Sequence, residues 1–159
     1  MNTRVETEQD IKHLNVLVVG NNPLELSSML EKIKRLPGSV INMETAFDAK
    51  SILERLNRFK PNFILIDDNI GVAELNNSVK TLAHNRKTKD VPITVLKNSN
   101  YAESNSSTSI FDYILKTTLT AEALYASIRN SIKVRRTQLY LYKAYNKRKR
   151  MLLSFVRKD

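Results

Sequence analysis

Two carboxylates follow one apolar run of the sequence. The run is FILI at residues 63–66, and Asp67 and Asp68 come directly after it. Apolar runs of this length usually form buried strands, so a carboxylate at the end of one is either a chemically active group or a structural remnant. Other strand-like runs end at or beside five further polar or flexible residues: Lys97, Lys116, Gly20, Asn21 and Asn22. Because functional groups gather at the carboxyl ends of parallel strands, we treat all seven as candidates for one site.

The sequence gives little support for an enzyme. It has no Ser-His-Asp set, no glycine-rich phosphate loop and no clustered histidines, since His13 and His84 are isolated. There is no cysteine, which excludes disulfides and thiolate metal sites. We therefore expect no catalytic residue, no metal site and no cofactor.

Five short apolar runs separated by turn residues predict five strands. They lie at residues 15–19, 40–44, 63–67, 91–96 and 111–115. Apolar residues at helical spacing predict helices after the first, second, third and fifth strands. Asn22, Asp48 and Thr120 are the predicted N-caps, and the weakest helix covers residues 72–85. Residues 97–109 are rich in Ser and Asn, which compete with helical backbone hydrogen bonds, so we expect a loop or a frayed short helix there.

The strands alternate with helices and are continuous apolar runs. This pattern is typical of a parallel sheet covered by helices on both faces. A chain of 159 residues is long enough for one such domain with a real core. No apolar run approaches the length of a membrane span, and the polar start is unlike a secretory signal. We therefore expect a cytoplasmic protein without a membrane span.

The positive charge is concentrated in a C-terminal tail. The formal net charge is +10. Residues 133–159 hold ten Lys or Arg and one Asp, whereas residues 1–132 hold sixteen Lys or Arg and fifteen Asp or Glu. The body of the chain is thus nearly neutral, and the net positive charge comes from the tail.

Three segments, in this order, resemble the receiver domain of bacterial two-component response regulators. They are VLVVGNNP, FDAKSILERLNRFKPNFILID and DYILKTTLTAEAL, and the match covers residues 14–133. The resemblance implies an α/β, flavodoxin-like (CheY-like) three-layer sandwich whose five-stranded parallel sheet has the order 2-1-3-4-5. It leaves a polar N-terminal segment, residues 1–13, and a basic helical extension, residues 134–159.

The resemblance also implies roles for individual residues. Asp67 matches the aspartate that accepts phosphate, and Lys116 matches the lysine that contacts the phosphoryl group. Tyr113 matches the aromatic residue that changes rotamer on activation. Asn69 falls where the family offers a backbone carbonyl to Mg²⁺.

The departures from the family affect its chemistry. The family ends its first strand with an acidic pair that holds Mg²⁺, but this chain has Gly20 and Asn21 there. Lys97 replaces a Ser or Thr, and Thr117 replaces a proline. Mg²⁺ prefers carboxylate oxygens and offsets the charge on a transferred phosphoryl group. Without it, Asp67 lacks its electrophilic partner, which favours a pseudo-receiver.

Alternatives stay open at four positions. Asp67 is either a relic carboxylate paired with Lys116 or a phosphate acceptor. Lys97 lies either within reach of Asp67 or in solvent. Asp68 is either an exposed loop residue or a ligand, with strand alternation favouring the loop, and Tyr113 is either a packing residue or a switch.

The tail lacks Gly and Pro, so the last helix is expected to continue beyond the domain. A heptad pattern places apolar residues on one seam: Val134, Leu141, Tyr145, Leu152 and Phe155. Gln138 and Arg148 interrupt it. The seam predicts a homodimer or a docking helix, while the KRKR run at residues 147–150 makes nucleic-acid or anionic-lipid contact an alternative.

These observations favour a pseudo-receiver that signals through phosphorylation-independent protein contacts. Its expected partners are a sensor kinase or a downstream effector, and a second copy of the chain. One alternative is a response regulator phosphorylated on Asp67 with Mg²⁺ as cofactor. Another is nucleic-acid binding through the tail. The sequence specifies neither the signal nor the output.

Overall fold

A computed structural model describes residues 13–36, 40–98 and 109–157. The strands are β1 (His13–Val19), β2 (Val40–Ala46), β3 (Phe63–Asp67), β4 (Ile93–Lys97) and β5 (Ile110–Leu115). The helices are α1 (Pro23–Lys34), α2 (Ala49–Leu56), α3 (Val72–His84) and α4 (Ala121–Val156). Short 3-10 helices, Asp68–Ile70 and Lys116–Thr118, directly follow β3 and β5. The loop or short helix expected after β4 lies almost entirely outside the described residues.

The five strands form one parallel sheet in the order β2-β1-β3-β4-β5. The predicted fold class and strand order are therefore confirmed. β4 begins at Ile93, two residues later than predicted, and Pro92, which has no backbone N–H to donate, lies just outside it. In the register of the sheet, Asp67 lies opposite Leu96, and Lys97 lies opposite Leu115.

Alternate residues of the central strands build two separate cores. One face of the sheet packs against α1 and α4 through Phe63 and Leu65 of β3. The other face packs against α2 and α3 through Ile64 and Ile66. The apolar runs are thus buried on both sides. Asp67 continues the alternation of Phe63 and Leu65, so it belongs to the face covered by α1 and α4.

Side-chain caps fix where the helices begin. Asn22 accepts from the backbone N–H groups of Leu24 and Glu25 at the start of α1, with Pro23 as the first helical residue. Asp48 and Thr120 cap α2 and α4. All three predicted caps are observed, and the cap at Asn22 fixes where α1 begins.

α4 is one continuous helix of 36 residues. Its first part packs on the sheet through Leu124, Ile128 and Ile132, all buried. From residue 133 onward the side chains are mostly exposed. Among the helices that the structure describes, none has both the length and the apolarity needed to cross a membrane.

Candidate functional site

The carboxyl edge of the sheet brings Asp67 and Lys116 together. Asp67 is the last residue of β3, and its side chain is 2% exposed. Lys116 is the first residue after β5, in a 3-10 turn that directs its side chain back across the edge. The Lys116 Nζ atom lies 2.6 Å from the Asp67 Oδ1 atom. The two residues that the resemblance places in one pocket therefore form a direct ion pair.

A third ionisable group, Glu25, completes this cluster. Its Oε2 atom lies 2.9 Å from the Lys116 Nζ atom, so the ammonium bridges two carboxylates. Glu25 also accepts a hydrogen bond from the Asn69 side-chain amide. Sequence reasoning missed Glu25, because it lies in the first turn of α1 rather than at the end of a strand. An acidic residue three positions after an N-cap is a recognisable sequence signal.

The cluster has an uneven electrostatic environment. Burial raises the pKa of Asp67 above its ordinary value of 3.8, and the hydrogen bonds from Lys116 and the Asn69 backbone only partly offset this. The hydrogen bond from Lys116 lowers the pKa of Glu25, which lies nearer to solvent. Burial also opposes the Lys116 ammonium, but its hydrogen bonds and attraction to Asp67 and Glu25 together hold the Lys116 pKa above 10.5. Lys116 is therefore a cation at neutral pH.

Amide groups hold the loop that follows β3. The Asn69 backbone N–H donates to Asp67 Oδ1 at 2.9 Å. The Asn69 carbonyl, which the resemblance assigns to Mg²⁺, accepts from the Asn21 side chain at 3.4 Å. Asp68 is half-buried and accepts from the backbone N–H of Asn98 at 3.3 Å. Asn69 thus contacts Asp67 and Glu25, and Asn21 contacts Asn69, whereas Asp68 faces the end of β4.

Gly20 is buried and closely surrounded. A Cβ atom at this position would lie 3.0 Å from the Leu26 Cδ2 atom and 3.5 Å from the Asp67 Cβ atom. Its backbone N–H donates to the Ala46 carbonyl at 2.9 Å. Gly20 therefore lets α1 approach β3. This approach places Glu25 within ion-pair distance of Lys116.

Lys97 does not join the cluster. Its Nζ atom lies over the Tyr113 ring, 4.4 Å from the ring centroid, a cation–π arrangement. The ion pairs that the described residues make with Asp67 include Lys116 and not Lys97. Lys97 continues the alternation of Ile93 and Val95 on the opposite face of the sheet, so of the two alternatives left open for it, contact with Asp67 does not occur. Tyr113 is 38% exposed.

The donor set at this edge does not suit Mg²⁺. Gly20 and Asn21 supply no carboxylate, and Asp67 and Glu25 already bind the Lys116 ammonium. Within the described ranges, no three His, Cys, Asp or Glu side chains cluster in a way that could hold a metal ion. A hard cation that requires several oxygen ligands would have to displace Lys116 first.

The structure leaves the predicted seam of α4 exposed. Leu141, Tyr145, Leu152 and Phe155 are each at least 60% exposed, and Val134 is 40% exposed. These residues lie beyond the part of α4 that packs on the sheet. The seam is therefore an apolar surface that the single chain does not cover.

No protein-family model matches the sequence, and no curated protein matches it. Solved receiver domains match its structure. One is the receiver domain of sensor histidine kinase PA1611 from Pseudomonas aeruginosa PAO1, with 17% identity, TM-score 0.63 and coverage of 76% of this chain and 98% of that chain. Another is the chemotaxis response regulator CheY4 of Vibrio cholerae, with 20% identity, TM-score 0.61 and coverage of 75% and 98%. This chain has the CheY-like receiver fold.

A third similar structure is the N-terminal domain of a response regulator receiver protein from Methanoculleus marisnigri JR1. It has 26% identity and TM-score 0.56, and the match covers 74% of this chain and 94% of that chain. The P. aeruginosa receiver domain is described with a magnesium ion coordinated in its active-site cleft. The receiver fold of this chain instead places an ammonium between two carboxylates at the edge where Asp67 lies.

Proposed function

We propose that this chain is a phosphorylation-independent signalling module with a receiver fold, acting through protein contacts rather than as an enzyme. The observation that carries the proposal is the bridge from Lys116 to Asp67 and Glu25. The bridge supplies in one side chain the positive charge that two neighbouring carboxylates need. It requires neither a metal nor a phosphoryl group.

The bridge opposes phosphate transfer to Asp67. The Asp67 Oδ1 atom already accepts from Lys116 and from the Asn69 N–H. A phosphoryl group arriving at Asp67 would also approach the negative charge of Glu25, without a divalent cation to offset its own charge. The pocket is therefore held in one state, and partners recognise that state.

Treatment with acetyl phosphate tests the proposal directly. Incubation with acetyl phosphate and Mg²⁺ should leave the intact mass of the chain unchanged, while a receiver domain with its acidic pair gains one phosphoryl group in parallel. The matched control is Asp67→Asn. A mass gain in the natural chain that Asp67→Asn abolishes would overturn the proposal.

That result would establish the alternative, a response regulator phosphorylated on Asp67 with Mg²⁺ bound. The resemblance supports this alternative, because it assigns both Asp67 and Lys116 to phosphate chemistry. The absence of acidic side chains at positions 20 and 21 weighs against phosphorylation, because carboxylates there would be needed to bind Mg²⁺.

The proposed contact element for protein partners is α4. A sensor kinase or a downstream effector would dock on its exposed seam, and in the absence of other partners a second copy would cover it. Two basic tails repel each other, so the dimer should strengthen as salt screens the charges. Sedimentation of the chain with and without residues 133–159, at low and high salt, measures this. A monomer under all four conditions would contradict the dimer.

Nucleic-acid binding through α4 is the second alternative. The observation favouring it is the run of exposed cations at residues 147–150. Counterion release requires such binding to weaken as salt rises. A gel shift with duplex DNA or RNA that high salt removes, and that deletion of residues 133–159 abolishes, would support it.

A further inference from the structure

The part of α4 beyond the receiver fold has two chemically distinct sides. At about 3.6 residues per turn, the five seam residues fall within one quarter of the helix circumference. Five cations fall within an arc of similar width on the other side of the helix, here called the cationic quarter: Arg136, Lys143, Lys147, Arg150 and Arg157. Both sets belong to exposed side chains of the described chain. The helix is therefore amphipathic, although its apolar side does not face its own domain.

The charge on this helix has one sign throughout. After Glu122 at its first turn, no acidic residue occurs before Asp159. Residues 143–157 contain six cations and no acid. The exposed part of α4 thus lacks the alternating charges by which a helix pairs with a copy of itself. Its complement is a negatively charged surface that also accepts apolar side chains.

We propose that the exposed part of α4 binds the surface of an anionic phospholipid bilayer, lying parallel to the membrane plane. Phe155, Leu152 and Tyr145 enter the boundary between headgroups and acyl chains. The cations on the opposite side and along the flanks contact lipid phosphates. A basic polar face opposite an aromatic and aliphatic face is the pattern of helices that bind this interface. The inference does not depend on whether Asp67 accepts phosphate, and it assigns the seam to a bilayer in place of the protein partner or second copy proposed above.

Arg148 favours a bilayer over a second copy. It falls within the apolar quarter, between Tyr145 and Leu152 in sequence, and is exposed. In a two-helix seam, this guanidinium would be buried against another apolar surface and close to its own copy, which is costly. At a bilayer, the long side chain can extend to the phosphates while its methylene groups stay in the apolar region.

A nucleic acid is a less complete complement. Its phosphates would pair with the cationic quarter but would leave Leu152 and Phe155, 67% and 68% exposed, in water. An anionic bilayer complements both sides of the helix, because its headgroup boundary accepts the apolar side and its phosphates attract the cations. The negative surface potential of such a bilayer strengthens the binding affinity about fivefold for each Lys or Arg near the membrane.

Vesicle co-sedimentation of the full chain tests the proposal. At low salt, the chain should sediment with vesicles made of equal parts phosphatidylcholine and phosphatidylglycerol. It should remain in the supernatant with vesicles of phosphatidylcholine alone, and high salt should release most of the bound fraction. Sedimentation with neither kind of vesicle, or equally with both, would overturn the proposal.

Two pairs of variants separate the contribution of the apolar side to vesicle binding from that of the cations. Phe155→Ser should weaken binding about tenfold or more, whereas Tyr140→Ser, an exposed aromatic outside the apolar quarter, should have little effect. Lys147→Gln with Arg150→Gln should weaken binding about 25-fold. Lys50→Gln with Lys80→Gln, two exposed lysines of α2 and α3, is the matched charge control and should change little.

Each remaining outcome is decisive. If Phe155→Ser and Tyr140→Ser bind alike, the apolar side is not inserted and the proposal is wrong. If anionic vesicles fail to bind while a dimer strengthens with salt, a second copy occupies the seam. If duplex DNA binds at low salt and anionic vesicles do not, the cations serve a nucleic acid instead.

Discussion

Replacing Lys116 with methionine removes the ammonium that bridges Asp67 and Glu25. The substitution keeps an unbranched side chain of similar length, so the main loss is the charge. Asp67, with its side chain only 2% exposed, retains the Asn69 N–H at 2.9 Å as a hydrogen-bond donor. We expect the fold to lose stability at neutral pH because an ionised carboxylate stays buried without its cation.

The expected loss in the free energy of unfolding is about 1–3 kcal/mol, the range for an orphaned buried polar group. Breaking a fully buried ion pair can cost about 3–5 kcal/mol. The lower range applies here because the site opens to solvent at Lys116 and Glu25, whose side chains are 19% and 38% exposed. Asp67 can also take up a proton, since its pKa is already raised.

The loss of stability in Lys116→Met should depend on pH. In Lys116→Met, the folded-state pKa of Asp67 rises further above the unfolded value, so the folded variant binds a proton more tightly than the unfolded chain. Its penalty is therefore full above the new folded pKa and disappears as pH falls below the ordinary value of 3.8. In the natural chain, Lys116 lowers the pKa of Glu25, so Glu25 stabilises that chain at neutral pH. This contribution is lost on acidification, which also narrows the difference in stability between the natural chain and the variant.

Urea unfolding followed by far-ultraviolet circular dichroism measures the effect at neutral pH and below pH 3.8. Lys97→Met is the matched control, because it removes a lysine at the same edge whose contact is a Tyr113 ring. That change should cost about 1 kcal/mol or less. In the double variant with Asp67→Asn, Lys116→Met should cost clearly less than it does alone. Equal stability of Lys116→Met and the natural chain at neutral pH would show that Asp67 is solvated and refute the bridge.

Two further predictions concern the same pocket. Glu25→Gln should lower the pKa of Asp67, because the neighbouring Glu25 carboxylate adds to the rise that burial causes. Carboxyl NMR titration measures this, and an unchanged Asp67 titration would show that Glu25 does not influence Asp67. Gly20→Asp with Asn21→Asp should restore measurable Mg²⁺ binding by calorimetry, provided that Leu26, 3.0 Å from a Cβ at position 20, gives way. Lack of binding in a folded double variant would show that Lys116 excludes the metal even when the carboxylates are present.

Local sequence determined the elements and placed Asp67 and Lys116 among the candidates at one edge of the sheet. The apolar runs are buried on both faces because the sheet is parallel and covered by helices, and this leaves a continuous pattern in the sequence. Asn22, Asp48 and Thr120 cap helices through contacts within a few residues. Asp67 and Lys116 were candidates because Asp67 ends one strand and Lys116 directly follows another, at the same edge of the sheet. The strand order itself came from the family resemblance.

The tertiary structure alone decided which neighbours surround Asp67. Asp67 belongs to the sheet face covered by α1, and Gly20 allows that helix to come close, so Glu25 reaches Lys116. Lys97 follows a strand just as Lys116 does, yet its place in the alternation of β4 turns it to the other face. Which face each strand residue meets depends on the register between strands and on which helix covers that face. These are non-local relations, and no short segment of the sequence contains them.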